Sequence, residues 1–128
     1  LGGKLHKGEV SRVELDNIEV LAEDPLFTGL SPEFICPSAH SVRTVAMPEG
    51  FVHIARCAKC EMMGMRHPDF PFYGVQFHPE ADAEIKIHDP DWEPVTDEEF
   101  ARSDGDSVLR NFAHIVLCEV EKKRSPEV

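Results

Sequence analysis

The chain has 128 residues, of which 41% are hydrophobic, and its 24 acidic and 13 basic side chains give a formal net charge of −11. This length and hydrophobic content predict one globular domain, while the excess of negative charge disfavours nucleic acid, whose phosphates need a positive surface. No apolar run approaches the roughly 20 residues that a membrane-spanning helix requires, so we expect a cytoplasmic protein without membrane contacts.

The first residues predict a chain that is part of something longer, followed by a strand-rich stretch. The opening "LGGKLHKGEV" has no initiating methionine, and Leu-Gly-Gly is typical of a helix that ends in a turn. In "VSRVELDNIEVL" the apolar residues alternate before and after Asp16 and Asn17, where we expect a turn or bulge. "DPLFTGL" then predicts a proline-started turn or short helix that Gly29 closes.

Short strands are predicted over most of the following sequence. The candidates are "EFICPSAH", "FVHIARC", "EMMGMRH" and "PFYGVQFH", with breaks at Pro37 and at residues 48–50, 58–59 and 68–70. The last element differs, because "DSVLRNFAHIVLCEVEKK" has apolar residues at helical spacing. It predicts a C-terminal helix over residues 106–122, with Asp106 as its N-cap and lysines in its last turn.

The run "FYGVQFHPE" stops abruptly on a histidine, a proline and a glutamate. Residues two apart along a strand point to the same side, so His78 and Glu80 are predicted to converge, while Pro79 removes the next backbone donor. A carboxylate on one imidazole nitrogen fixes the tautomer and leaves the other nitrogen free to accept a proton from a nucleophile. The spacing therefore suits a proton relay.

Residues 81–103, "ADAEIKIHDPDWEPVTDEEFARS", are rich in acidic side chains and contain the only tryptophan, Trp92. One interpretation is a solvated loop inserted into the domain, with a short helix near "TDEEFAR". The other is an active-site lid or a partner surface, because long loops in compact domains often carry function. As a lid, the segment is expected to lie near His78, with Trp92 against the body of the domain or a partner.

Four cysteines raise the question of a metal site. His53, Cys57, Cys60 and His67 form H-x3-C-x2-C-x6-H, which can be read as a zinc motif. However, His53 and Cys57 lie on one predicted strand, where residues four apart are too distant to share an ion easily. We expect reduced, buried thiols and no metal.

Several segments, in order, resemble the class I (triad-type) glutamine amidotransferases. "YGVQFHPE" resembles the C-terminal signature of that family, and "GDSVLRNF" resembles its final helix. "LGGKL", "DPLFTGL" and "PSAHSVRTVAMPEGFVHIA" resemble the segments that lead up to the signature. The resemblance implies an α/β, flavodoxin-like domain, of which residues 1–128 form the strand-rich C-terminal half with a closing helix.

The resemblance also implies hydrolysis of the side-chain amide of glutamine, with the ammonia supplied to a synthase domain or subunit. Matched residue by residue, His78 is the base and Glu80 its orienting carboxylate, while the backbone at Ser41 and Val42 helps to hold the amino-acid end of glutamine. Glutamine and a synthase are thus the implied partners, and no cofactor is expected. The segments look most similar to the stand-alone or GMP-synthase-type branch.

The family's nucleophile is a cysteine in a G-x-C-x-G elbow, and the sequence departs from that pattern. Cys36, Cys57, Cys60 and Cys118 all lie in other contexts. Since the family places the elbow before the Leu-Gly-Gly segment, the nucleophile is expected upstream of Leu1, and the chain alone is expected to be inactive. Two alternatives stay open: a related γ-glutamyl hydrolase or peptidase, and a non-catalytic binding module if no upstream cysteine exists.

Overall fold

The computed structural model describes residues 2–124, apart from the side chains of residues 8–12, 40 and 41. Five antiparallel strands form one sheet in the order β2-β1-β3-β4-β5. The strands are β1 (Lys4–Val20), β2 (Glu33–Ala46), β3 (Val52–Arg56), β4 (Gly64–Arg66) and β5 (Tyr73–Val75). The helices are α1 (Ile85–His88), α2 (Asp97–Ala101) and α3 (Gly105–Arg124), with 3-10 turns at Pro25–Phe27 and Pro90–Trp92.

The turn or bulge predicted at Asp16 and Asn17 is wrong, because β1 runs through both residues. Asp16 pairs with Cys36 and Asn17 with Ile35 in an unbroken register with β2. The apolar alternation changes phase here because β1 is covered on both faces. Ile18 is buried in the main core, whereas Val13 packs on the other face against a second cluster. The sequence pattern marks a change of buried face within one strand.

The main core lies between the sheet, the first 3-10 turn and α3. Its buried members are Ile18, Leu26, Phe27, Phe34, Cys36, Ile54, Ala55, Cys57, Cys60, Met63, Phe77 and Val108. The ring of Phe34 contacts both Phe27 and Phe77, at centroid distances of 5.5 and 5.6 Å. The predicted turn in "DPLFTGL" is confirmed, since Gly29 closes it with a φ of 79°, a conformation that favours glycine.

A buried carboxylate joins this turn to the sheet. The Asp24 side chain is 2% exposed and accepts hydrogen bonds from Tyr73 Oη at 2.6 Å and from Leu26 N at 2.9 Å. Arg66 Nε lies 2.7 Å from Asp24 Oδ2, at ion-pair distance but without hydrogen-bond alignment. Burial, reinforced by the Asp24 carboxylate, raises the pKa of Tyr73 well above its usual value. Asp24 thereby ties β4 and β5 to the turn that supports α3.

The sheet curls until the chain after β5 reaches β2. Phe77 forms an isolated bridge with Ser38, and His78 N donates to Pro37 O at 2.8 Å. β2 continues through Pro37, so the predicted break there is wrong. A proline is tolerated here because the contact with the chain after β5 needs only the carbonyl oxygen of residue 37, which accepts from His78 N, and proline retains this oxygen. This closure fixes where His78 stands.

The C-terminal helix starts one residue earlier than predicted and ends two residues later. Asp106 lies inside its first turn and is not its N-cap, although its charge there complements the positive end of the helix. Just before the helix, Asp104 pairs with Ile35 of β2: its backbone N donates to Ile35 O at 2.7 Å, and its Oδ2 accepts from Ile35 N at 2.9 Å. Within residues 2–124, no helix is long and apolar enough to cross a membrane.

Candidate active site

His78 and Glu80 meet on one side of the chain where the curled sheet closes. Glu80 Oε1 lies 2.6 Å from His78 Nδ1, within hydrogen-bond distance. The two residues were expected to meet along a strand, but they meet across a turn, in which Ala81 N donates to His78 O at 3.2 Å. The His78 side chain is 36% exposed and that of Glu80 is 58% exposed, so the pair is open to solvent. The backbone of His78 is fixed by its bond to Pro37 O, which anchors the pair to β2.

The second ring nitrogen of His78 faces the backbone of β2. Nε2 lies 3.0 Å from Ala39 O. Both neighbours, the Glu80 carboxylate and the Ala39 carbonyl, are acceptors, and a neutral imidazole has only one N–H to donate. For Nε2 to accept a proton from a nucleophile, either the ring must rotate so that Nε2 points away from Ala39 O, or the nucleophile must approach Nε2 from the side of that carbonyl.

Residues 81–103, named here the acidic cap, fold as a small structured unit beside His78. It contains α1, the second 3-10 turn and α2, and a capping box between Thr96 and Glu99 starts α2. The short helix expected near "TDEEFAR" is α2. Trp92 is 3% exposed, and its ring stands at 82° to the His78 ring with 5.5 Å between centroids. The lid function stays a prediction.

The start of α3 abuts the backbone between the two site residues. A Cβ placed on Gly105 would overlap the carbonyl oxygen of Pro79 and lie 3.0 Å from its Cα. Only a glycine lets the helix start approach this closely. Gly105 therefore helps to hold the turn that presents His78 and Glu80.

Replacing Gly105 with alanine is expected to destabilise the protein by about 2 kcal/mol, because the overlap is with backbone that cannot rotate away. Alanine favours helix formation by only about 1 kcal/mol, so the overlap dominates. Urea unfolding measures the change. Gly74→Ala serves as the control, since its Cβ would meet only the flexible Met65 side chain, at 3.3 Å. Equal stability of Gly105→Ala and the unmodified protein would contradict this packing.

The predicted glutamine-binding residues lie further along β2. Ser41 is in the strand, opposite the register shift between Lys7 and Arg12, and its side chain is outside the described part of the structure. The Val42 side chain lines a cavity of about 170 Å³ with Leu5, Thr44, Met65, Gly74, Val75 and Gln76. Val42 is three residues from Ala39, about 10 Å along the strand. The structure does not bring the Val42 side chain into the His78–Glu80 pair.

Cys36, Cys57 and Cys60 are buried and are poor nucleophiles where they stand. Burial raises the pKa of Cys36 to about 12, and the Glu80 and Asp104 carboxylates act in the same direction. Burial also raises the pKa of Cys57 and of Cys60. A thiol that stays protonated cannot attack an amide.

The zinc interpretation finds no support among the residues that the structure describes. His53 Nε2 lies 2.6 Å from Glu61 O, and His67 Nδ1 accepts from the backbone of Asp69 at 3.0 Å. Among the side chains that the structure describes, no group of three or more His, Cys, Asp or Glu is arranged to hold a metal ion.

Sequence reasoning missed two contributors to the site. Ala39 acts through its carbonyl oxygen, which any residue carries, so no sequence signal marks it. Gly105 stands between two aspartates at the start of the helical pattern, and a glycine at that position is a usable signal for close backbone approach.

Comparison with known proteins places these segments in one family. The family model "Glutamine amidotransferase class-I" matches residues 1–90. A glutamine-hydrolyzing GMP synthase subunit from Methanosarcina acetivorans is 43% identical over 79 residues, covering 62% of this chain and 42% of the relative. The corresponding subunit of Pyrococcus abyssi is 34% identical over 114 residues, covering 89% and 51%. The chain thus spans about half the length of these relatives.

Solved structures share the fold of this chain. A structure described as a GMP synthase subunit from Thermoplasma acidophilum matches with a TM-score of 0.73 at 22% identity, covering 97% of this chain and 53% of that one. A glutamine amidotransferase from Thermotoga maritima matches with a TM-score of 0.68 at 15% identity, covering 90% and 55%. The expected α/β, flavodoxin-like fold is confirmed, and the chain belongs to the class I glutamine amidotransferase family.

Proposed function

We propose that this chain supplies the histidine and the carboxylate of a Cys-His-Glu triad that hydrolyses the side-chain amide of glutamine. The observation that carries the proposal is the 2.6 Å contact between His78 Nδ1 and Glu80 Oε1, made by residues within the segment that the family model matches. Glu80 holds the ring so that Nε2 serves as the proton acceptor, and it stabilises the ring when both nitrogens carry protons.

The reaction needs one proton acceptor that later returns the proton. A cysteine thiol gives its proton to His78 Nε2 as the sulfur bonds to the amide carbon of glutamine. His78 then protonates the departing nitrogen and the C–N bond breaks. Ammonia departs, and the glutamyl group remains bound to the cysteine as a thioester. Water attacks the thioester with the same histidine as base, which releases glutamate and restores the thiol.

The nucleophile is proposed to lie upstream of residue 1, in an elbow that this chain lacks. The raised pKa of Cys36 supports this, because burial keeps that thiol protonated and the nearby Glu80 carboxylate acts in the same direction. The backbone at Ser41 and Val42 is proposed to hold the amino-acid end of glutamine. Ser41 and Val42 both lie on β2, and the carbonyl groups of Pro37 and Ala39 on the same strand contact His78.

The acceptor of the ammonia is proposed to be a synthase domain or partner subunit of the GMP-synthase type. This part of the proposal is supported by the relatives from Methanosarcina acetivorans and Pyrococcus abyssi, both of which are named as subunits of a glutamine-hydrolyzing GMP synthase. A role in nucleotide biosynthesis and a cytoplasmic location belong to the same proposal.

Covalent labelling tests the proposed chemistry. The full-length protein is incubated with an electrophilic diazoketone analogue of glutamine, digested, and mapped by mass spectrometry. We expect one adduct, on a cysteine outside residues 1–128, and protection by excess glutamine. Labelling of Cys36, Cys57, Cys60 or Cys118 in a glutamine-protected manner would refute the upstream nucleophile. The absence of any protected adduct would favour a non-catalytic binding module.

A further inference from the structure

The acidic cap has a core of its own, which makes it more than a charged loop. Ala81, Trp92, Val95 and Phe100 are each at most 6% exposed. Outside the core, Lys86 Nζ forms an ion pair with Asp97 Oδ1 at 3.0 Å and lies 5.7 Å from the centre of the Phe100 ring. The cap is therefore ordered by packing and by links between its two helices.

The core of the cap rests on the strand that carries the His78 contacts. Val13 of β1 and Ala39 of β2 are register partners, and both pack against the buried cap residues. Ala39 thus contacts the cap with its side chain and His78 Nε2 with its carbonyl oxygen. Ala39 therefore positions both the acidic cap and the imidazole of His78.

Trp92 connects this core directly to the imidazole. Its ring stands edge-on to His78 with 5.5 Å between centroids, and Phe100 packs against Trp92 at 6.0 Å. Among the described side chains, Glu80 also restrains the orientation of the ring, and its side chain is 58% exposed. An ion pair in solvent holds two side chains in one geometry only weakly, so a buried, fixed indole is the stronger constraint.

We propose that Trp92 is a positioning residue, which holds the His78 ring with Nδ1 on Glu80 while Nε2 is reached beside the Ala39 carbonyl. This inference rests on the proposed function, since it concerns the same histidine. The indole limits rotation of the imidazole about its side-chain bonds and leaves Nδ1 aligned with Glu80. It touches neither glutamine nor the nucleophile in this scheme. Its effect should therefore appear in the rate of the chemical step rather than in substrate binding.

The test compares three variants in the full-length protein. Trp92→Ala is expected to lower kcat for glutamine hydrolysis by about 10- to 100-fold with little change in KM, because a misplaced base costs rate. Trp92→Phe keeps a flat ring in the same place and should restore kcat to within about three-fold. Val95→Ala is the matched control, since it opens the same core without removing the ring that contacts His78. It should leave kcat within about two-fold.

A second readout separates this inference from the proposed function. The side-chain nitrogen signals of His78, observed by NMR, should broaden or shift in Trp92→Ala and stay unchanged in Val95→Ala. If His78→Ala keeps full activity, the proposed function fails, and the NMR comparison still decides whether Trp92 positions the ring. Unchanged His78 signals in Trp92→Ala, or an equal loss of kcat in Trp92→Ala and Val95→Ala, would overturn the proposal.

Discussion

In the full-length protein, His78→Ala is expected to lower glutamine-dependent ammonia release by about 1,000-fold or more, because it removes the group proposed to accept and return the proton. Glu80→Gln should cost less, about 10-fold. The Glu80 side chain is largely exposed, so water screens its charge, and the amide oxygen of glutamine at this position can still accept from Nδ1. The measurement is steady-state ammonia release at saturating glutamine.

A matched histidine variant makes this result specific. His88 is an exposed residue at the end of α1 in the acidic cap, and His88→Ala should leave ammonia release unchanged. Unimpaired release by His78→Ala would refute the assignment of the base. A loss with His88→Ala as large as that with His78→Ala would indicate general damage to the fold.

The strands were predictable from local periodicity, and the site pair from its short separation in the sequence. His78 and Glu80 do meet, but the strand geometry expected for them is wrong: β5 ends at Val75, and a turn that Ala81 N closes on His78 O brings the two side chains together. The Pro25–Phe27 turn was also predictable, because Asp24 caps its start and Gly29, with a positive φ, closes it. Each of these features is fixed by side chains within a few residues of one another.

The features that sequence reasoning missed depend on contacts between distant parts of the chain. Asp16 looks like a turn residue, yet β1 stays extended because β2 pairs with it throughout. Pro37 looks like a break, yet only its carbonyl is needed where the sheet curls onto His78. Gly105 meets Pro79, and Ala39 O meets His78, across 26 and 39 positions that no local pattern links. Tertiary pairing outweighs the local preferences at Asp16 and Pro37, and the other two contacts follow from the fold alone.

The acidic segment shows the same limit in another form. Its charge predicted a solvated loop as the first interpretation, and most of its acidic side chains do face solvent. The charge pattern gave no sign of a buried cluster. Trp92, Val95 and Phe100, whose neighbours in this series are three and five positions apart, form one. This cluster packs on Val13 and Ala39, which are far away in sequence.

The chain of residues 1–128 on its own is expected to release no ammonia from glutamine and to associate in solution. His78 has no thiol to deprotonate in this scheme, and no oxyanion donors from an elbow stabilise the tetrahedral intermediate. Association is expected through α3, where Leu109, Phe112, Val116 and Val120 recur at helical spacing and are each about 40% exposed. The measurements are an ammonia assay and sedimentation velocity at several concentrations.

Because the sheet curls, the apolar face of α3 is a better candidate for that association than the edge of β2. The edge of β2 is engaged by the chain after β5, through the Ser38–Phe77 bridge and through Thr44 N, which donates to Gln76 Oε1 at 2.6 Å. Strand-edge pairing is therefore blunted there, and the apolar stripe of α3 is the better candidate. Val116→Glu should reduce association, whereas Lys123→Glu, an exposed change near the helix end, should not. Robust ammonia release by residues 1–128, or a monomer at every concentration, would contradict this prediction.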